Sequence, residues 1–215
     1  MDYTAARLEM VEKQLKERGI TDPRVLDAMR VIPRHEFVPE NIRDHAYDDS
    51  PLPIGQDQTI SQPYIVGVMS QALKLTGGET VLEVGTGSGY QTAILSLLAR
   101  HIYSLERFAE LAEGASDVLE RLGCTNVEIY VGDGSQGLAD MAPFDAITVA
   151  AAAPSIPGTL RSQLQPEGGR LVIPVGDAKE QFLEVITRRG NRWDVQRIGS
   201  VRFVPLIGTF GFKGD

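Results

Sequence analysis

The ten residues Val81-Leu82-Glu83-Val84-Gly85-Thr86-Gly87-Ser88-Gly89-Tyr90 constrain this chain more than any other stretch. An apolar, β-branched run passes straight into three glycines at alternate positions, and helix-forming residues resume at Tyr90. Glycines at such a strand-to-helix turn let the backbone approach a ligand closely and take conformations that a side chain forbids. Taken alone, the turn is also compatible with a tight connection that holds no ligand. Its spacing helps to choose between cofactors. In the dinucleotide fingerprint G-x-G-x-x-G the third glycine would stand at position 90, where this chain has Tyr90.

The rest of the chain predicts the surroundings of that turn. Short β-branched runs at 80–84, 101–105, 127–131, 145–150, 170–175 and 182–187, and a last one near 201–204, read as strands. Helical patterns over 90–99 and 108–122 separate the first three, so parallel strands joined by right-handed crossovers are expected. The late runs have no helical spacers, which predicts an antiparallel edge. The expected fold class is therefore α/β: a doubly wound, mostly parallel, Rossmann-like sheet with N-terminal helices. Those helices are predicted over 4–18, stopped by Gly19, and from Asp22 and Pro23 to Pro33. The proline-rich stretch 34–63 reads as one long ordered loop of the functional kind, followed by a helix to about Leu75. Residues 1–76 are expected to pack on a core formed by 77–215, one structural domain overall.

Composition narrows the function. With 215 residues, 42% of them hydrophobic, the chain can bury a core without staples. No apolar run approaches the ~18 residues that cross a bilayer, and no signal segment is recognised, so a cytoplasmic protein is expected. Cys124 is the lone cysteine and reads as a small buried residue, and His35, His45 and His101 lack zinc spacing, so no metal is expected. A formal net charge of −8 repels a nucleic-acid backbone, and the basic clusters read as solvated faces.

The pattern E-x-G-x-G-x-G, from Glu83 to Gly89, resembles that of class I methyltransferases. On this reading Gly85, Thr86, Gly87, Ser88 and Gly89 cradle S-adenosyl-L-methionine, whose product is S-adenosyl-L-homocysteine. Two further acids stand where the reading needs them. Glu106, after the second strand, can accept both hydrogen bonds of a ribose diol; Asp133, followed by Gly134 after the third, can accept from an adenine amino group. Glu83 is suited either to receiving the cofactor's ammonium group or to bracing the turn.

Over nearly its whole length the chain resembles the protein-L-isoaspartate O-methyltransferases. The matching blocks include Pro33-Arg34-His35-Glu36-Phe37-Val38-Pro39, Gln58-Thr59-Ile60-Ser61-Gln62-Pro63-Tyr64, Gly132-Asp133-Gly134, the stretch from Gly168 to Gly176, and Arg202-Phe203-Val204-Pro205-Leu206. The resemblance implies methyl transfer to the free α-carboxylate of L-isoaspartyl residues in damaged proteins or peptides, by an enzyme expected to be a monomer. It also implies that Thr59, Ile60 and Ser61 close over the cofactor, that the Ser61 hydroxyl faces the reacting centre, and that Val204 and Leu206 bind the substrate backbone. Ser61 also reads as a helix cap before Pro63. Family members usually show glycine where this chain has Asp57, which bears on the loop's shape.

The chemistry fits the residues present. A carboxylate acceptor with a pKa near ~4 is ionised at neutral pH and needs no general base. The residues Ala151-Ala152-Ala153-Pro154 lack the pattern of base-amino methyltransferases, and Cys124 is misplaced for cytosine-carbon chemistry. The competing readings are a small-molecule O-methyltransferase, a non-catalytic binding module and a dehydrogenase.

Overall fold

The computed structural model describes residues 1–214. Helix α1 (Tyr3–Glu9) is capped by the Asp2 carboxylate, which accepts from the Thr4 and Ala5 N–H groups at 3.0 and 3.1 Å. The single helix expected over 4–18 is not uniform. Its turns widen to π-helix at Met10–Leu15, where Met10, Val11 and Leu15 are buried, then tighten to 3-10 at Lys16–Arg18. Gly19, left-handed at φ +96°, ends it. Helix α2 (Pro23–Val31) opens on Asp22, which accepts from the Arg24 N–H at 2.9 Å, and stops at Ile32, extended ahead of Pro33.

The stretch expected as one loop contains more structure than its sequence suggests. It holds 3-10 turns at Arg34–Phe37 and Glu40–His45 and an antiparallel hairpin of β1 (Leu52–Gly55) and β2 (Gln58–Ile60). These strands are too short, and β1 too proline-bearing, to show a periodicity of their own. The hairpin turns on Gln56 and Asp57, both left-handed at φ +50° and +53°, the geometry of a type I′ turn. Asp57→Gly is therefore expected to stabilise the protein by roughly 1 kcal/mol by removing a left-handed side-chain residue. A chemical-denaturation midpoint that fails to rise would refute that account. Helix α3 (Pro63–Leu73) follows. Its cap position is Gln62, without a side-chain cap bond, so Ser61 is not the helix cap.

Seven strands form the main sheet: β3 (Thr80–Val84), β4 (His101–Glu106), β5 (Val127–Val131), β6 (Ala146–Val149), β7 (Glu167–Gly176), β8 (Gln181–Arg189) and β9 (Arg192–Val201), in the order β5-β4-β3-β6-β7-β8-β9. The pairs from β5 to β7 are parallel, and β8 runs antiparallel to both its neighbours. Helices α4 (Tyr90–Leu98), α5 (Ala109–Arg121) and the short α6 (Gly158–Ser162) lie in the crossovers. The last strand was expected near 201–204 and is instead Arg192–Val201. It is an exposed edge carrying Arg192, Asp194 and Arg197, so it presents no apolar run. Past its end the chain runs beside Ala152, whose N–H donates to the Val204 carbonyl at 2.8 Å and whose carbonyl accepts from the Leu206 N–H at 2.7 Å.

Alternate strand residues build two apolar clusters. Val81, Ile102 and Val172 join Met29, Val66, Met69 and Ile94 from the helices, so the N-terminal part packs directly on one sheet face. Leu82, Val84, Ile147 and Ile173 join Phe144, Leu160 and Leu164 on the other. Cys124, expected buried, is half-buried beside the first cluster. Among the described residues no helix is long and apolar enough to cross a membrane. The strand order reverses between β3 and β6, and a crevice opens at the carboxyl ends of those strands.

Candidate active site

The glycine turn leaves β3 with Gly85, Gly87 and Gly89 at φ +93°, +53° and +86°. A Cβ on Gly85 would stand 3.3 Å from the Ala150 Cβ, and one on Gly89 3.1 Å from the Ala115 Cβ on α5. The crevice floor is therefore bare backbone, with Ile54 of the hairpin lying against Gly87. Glu106, buried at the end of β4, holds this floor in place. One of its oxygens accepts from the Gly87 N–H at 2.9 Å, and the other from the Arg107 and Phe108 N–H groups at 2.8 and 3.0 Å.

The crevice becomes a cleft because the hairpin forms its opposite wall. Thr59, Ile60 and Ser61 face Gly85, Thr86, Gly87 and Ser88, and Glu106, Gly134, Val204 and Leu206 complete the lining. The space measures about 820 Å³ with its open mouth included. Gln91, Arg107, Ala150, Pro205 and Ile207 also line it and were not anticipated. Arg107 and Ala150 directly follow β4 and β6, a position at the carboxyl ends of the strands where ligands of such sheets lie.

Three expected residues stay off the cleft surface. Gly89 serves as the left-handed first residue before α4. Glu83 was weighed as an acceptor for the cofactor, but it is wholly buried between β3 and α4. One oxygen accepts from Thr92 Oγ1 at 2.5 Å and from Ser104 Oγ at 2.6 Å, and Ser104 Oγ also lies 2.6 Å from Thr86 Oγ1. Glu83 thus braces the turn through Ser104, the second of the two roles weighed for it. Burial pushes its carboxyl up to about 7, against the lowering effect of the Ser104 and Thr92 hydroxyls.

Because the folded pKa lies above the ordinary carboxyl value of 4.5, the folded state favours the protonated form. The stability associated with that proton is complete below about pH 4.5 and is lost as the pH rises through about 7. Glu83→Gln should consequently be more stable than the wild type at pH 8, by on the order of 3 kcal/mol, and melt higher, with the gap closing toward pH 5. Parallel pH profiles of the two melting temperatures would contradict this.

Asp133 also points away from the cleft. One oxygen accepts from the Ser135 N–H at 2.9 Å and Oγ at 2.6 Å, the other from the Thr209 N–H at 2.7 Å and Gln136 Nε2 at 3.1 Å. Burial would raise this carboxyl, but the donors of Ser135, Thr209 and Gln136 outweigh it and hold it well below its ordinary value. Its acceptor capacity is used in tying the C-terminal segment down, and it is its neighbour Gly134 that lines the cleft.

An outer groove adjoins the cleft, lined by Pro51, Gln62 and Ile65 on one side and Ser200 to Val204 on the other. Thr59, Ser61, Ala150 and Val204 border both spaces. Arg34 is wholly buried, with its Nε donating to the Ala46 carbonyl at 2.7 Å and its guanidinium 4.9 Å from the centre of the Tyr90 ring. Burial lowers its pKa to about 10, so it remains a cation at neutral pH. Phe37 meets the same ring edge-on at 5.6 Å. The block 33–39 thereby fastens the N-terminal segment to the first residue of α4, beside the glycine turn.

A doubly wound sheet that reverses order between β3 and β6, floored by a glycine turn and edged by an acid after β4, is the fold of a class I methyltransferase. Residues 6–211 match the family described as Protein-L-isoaspartate(D-aspartate) O-methyltransferase (PCMT). The chain belongs to that family. It is 53% identical over 209 residues to a protein-L-isoaspartate O-methyltransferase of Methanoculleus marisnigri, covering 97% of this chain and 94% of the relative. It is also 53% identical over 215 residues to that of Syntrophus aciditrophicus, covering 99% and 98%. A solved protein-L-isoaspartate O-methyltransferase superposes with a TM-score of 0.85 at 29% identity, covering 95% of this chain and 67% of the other. A Plasmodium falciparum structure of the same description, in complex with S-adenosyl-L-homocysteine, gives a TM-score of 0.81 at 28% identity over 94% and 98%.

Proposed function

We propose that this protein transfers a methyl group from S-adenosyl-L-methionine to the free α-carboxylate of L-isoaspartyl residues in damaged proteins and peptides, the step that initiates their repair. The observation that carries the reading is the common wall of Thr59, Ser61, Ala150 and Val204, which borders both the deep cleft and the outer groove. Occupants of the two spaces would meet at that wall.

The residues present fit the cofactor. Gly85 and Gly87, both left-handed, leave backbone exposed where side chains would intrude, and Glu106 borders the cleft with one acceptor lone pair beyond the three it uses inside. Gly85 to Ser88, Glu106, Gly134, Thr59 and Ile60 would hold it. When bound, it supplies an electrophilic methyl group on a sulfonium. The chain's own task is then to align an acceptor that is already anionic, for which no proton need be removed. Ser61 would donate its hydroxyl proton to one carboxylate oxygen and hold the other toward the cleft. Ile60, Val204 and Leu206 would keep water from the nucleophile, which strengthens it.

A small-molecule acceptor is not favoured: the family match covers almost the whole chain, and the groove is walled by the extended stretch after β9, suited to lying beside a peptide backbone. The decisive assay offers the protein an isoaspartyl peptide and its normal aspartyl twin. Methyl incorporation is expected into the first only; equal incorporation, or none, would remove the proposal.

A further inference from the structure

The outer groove contains an asymmetry that its place beside the reacting wall does not require. Among its described lining residues Arg202 carries the single formal charge; Pro51, Gln62, Ile65, Ser200 and Phe203 are neutral. The isolation is unusual in a chain whose formal net charge is −8. Arg202 is exposed, and none of the ion pairs among the described residues engages it.

Its backbone is nonetheless held firmly. The Gln181 side chain clamps Phe203 like a neighbouring strand, accepting from its N–H at 2.7 Å and donating to its carbonyl at 3.2 Å. One residue further on, Ala152 holds Val204. A cation thus stands on a fixed stretch of wall, two residues from Val204, which borders the cleft itself. Two residues of extended chain span roughly 7 Å, so a reacting carboxylate held beside Val204 leaves Arg202 alongside the residues that flank it in the peptide. Arg202 is therefore better placed to meet a flanking side chain than the reacting carboxylate.

We infer that Arg202 sets a charge preference among damaged substrates, favouring an isoaspartyl residue with an acidic neighbour over one with a basic neighbour. The inference rests on the isoaspartyl reading given above. A single exposed charge pair at such distances amounts to about a three- to tenfold effect at low salt and fades as the Debye length shortens.

The experiment compares kcat/KM for isoaspartyl peptides carrying Glu, Ala or Lys immediately before or immediately after the isoaspartyl residue, at low and high ionic strength. The wild type is expected to prefer Glu over Lys by about tenfold at one of the two positions, with the ratio shrinking in 0.5 M salt, a condition chosen at roughly a 4 Å Debye length. In Arg202→Gln the rate on the Glu peptide should fall while that on the Lys peptide rises, and Arg202→Lys should keep most of the preference. Opposite movements of two substrates cannot come from misfolding. Equal wild-type rates on Glu and Lys peptides at both positions would overturn the inference and leave the isoaspartyl reading standing. So would an Arg202→Gln variant that lowers every peptide alike, since the guanidinium would then serve the reacting carboxylate or the fold. Failure to methylate any isoaspartyl peptide would remove both.

Discussion

Ser61→Ala is expected to lower kcat by about ten- to a hundredfold while leaving the affinity for S-adenosyl-L-homocysteine within a factor of about two. The size follows from the loss of one hydrogen bond to a charged acceptor, about 1.5–3 kcal/mol. The separation of the two effects follows from position. Ser61 borders the cleft and the outer groove together, and it does not cap α3, whose cap position is Gln62 without a side-chain bond. The alanine variant should accordingly melt close to the wild type. Single-turnover methylation of an isoaspartyl peptide, set beside calorimetric titration with the product cofactor, reads the two quantities independently. If kcat survives, the hydroxyl does not orient the acceptor; if the protein unfolds instead, the side chain has a structural role that its surroundings do not explain.

Glu106→Ala should be the most damaging single change to the cofactor site. Three backbone N–H groups, those of Gly87, Arg107 and Phe108, end on this buried carboxylate. Charge-assisted bonds are the strong ones, and buried donors without an acceptor each cost about 1–3 kcal/mol. A stability loss of about 3 kcal/mol is expected, which for a chain of this size is a melting-temperature drop of roughly 6–12 °C. Cofactor affinity should fall by about a hundredfold, since the floor of the cleft loses its anchor and the lining loses an acceptor. A variant that melts early yet binds S-adenosyl-L-homocysteine normally would restrict Glu106 to the fold and exclude it from recognition.

These two residues also illustrate how far reading the residues alone reaches. Glu83, Glu106 and Asp133 look alike on paper, each an acid at the end of an apolar run. Glu106 is the final residue of β4 and touches the cleft, whereas Glu83 sits one residue inside β3 and faces α4. Glu83 pairs across the sheet with Ser104, so Glu106 stands two residues further along the same face: it reaches the glycine turn at the strand end, while Glu83 stays covered by α4. Asp133 was diverted by a partner 76 residues away, the Thr209 N–H, and no local pattern announces that bond. The hairpin β1–β2 and the edge strand β9 were missed for a related reason. Neither is buried on both faces, so neither carries the continuous apolar run that made β3 and β6 plain.

What the order of residues determined by itself is local: glycines where the turn must be left-handed, apolar runs long enough for buried parallel strands, and blocks distinctive enough to mark the family. Tertiary structure alone decided which acid meets the cleft, that Ser61 borders the cleft and the outer groove together, and that Arg202 is the one cation among the described residues lining that groove. Those relations depend on side-chain direction and on contacts between segments far apart in the chain, and both are set only when the sheet faces are packed.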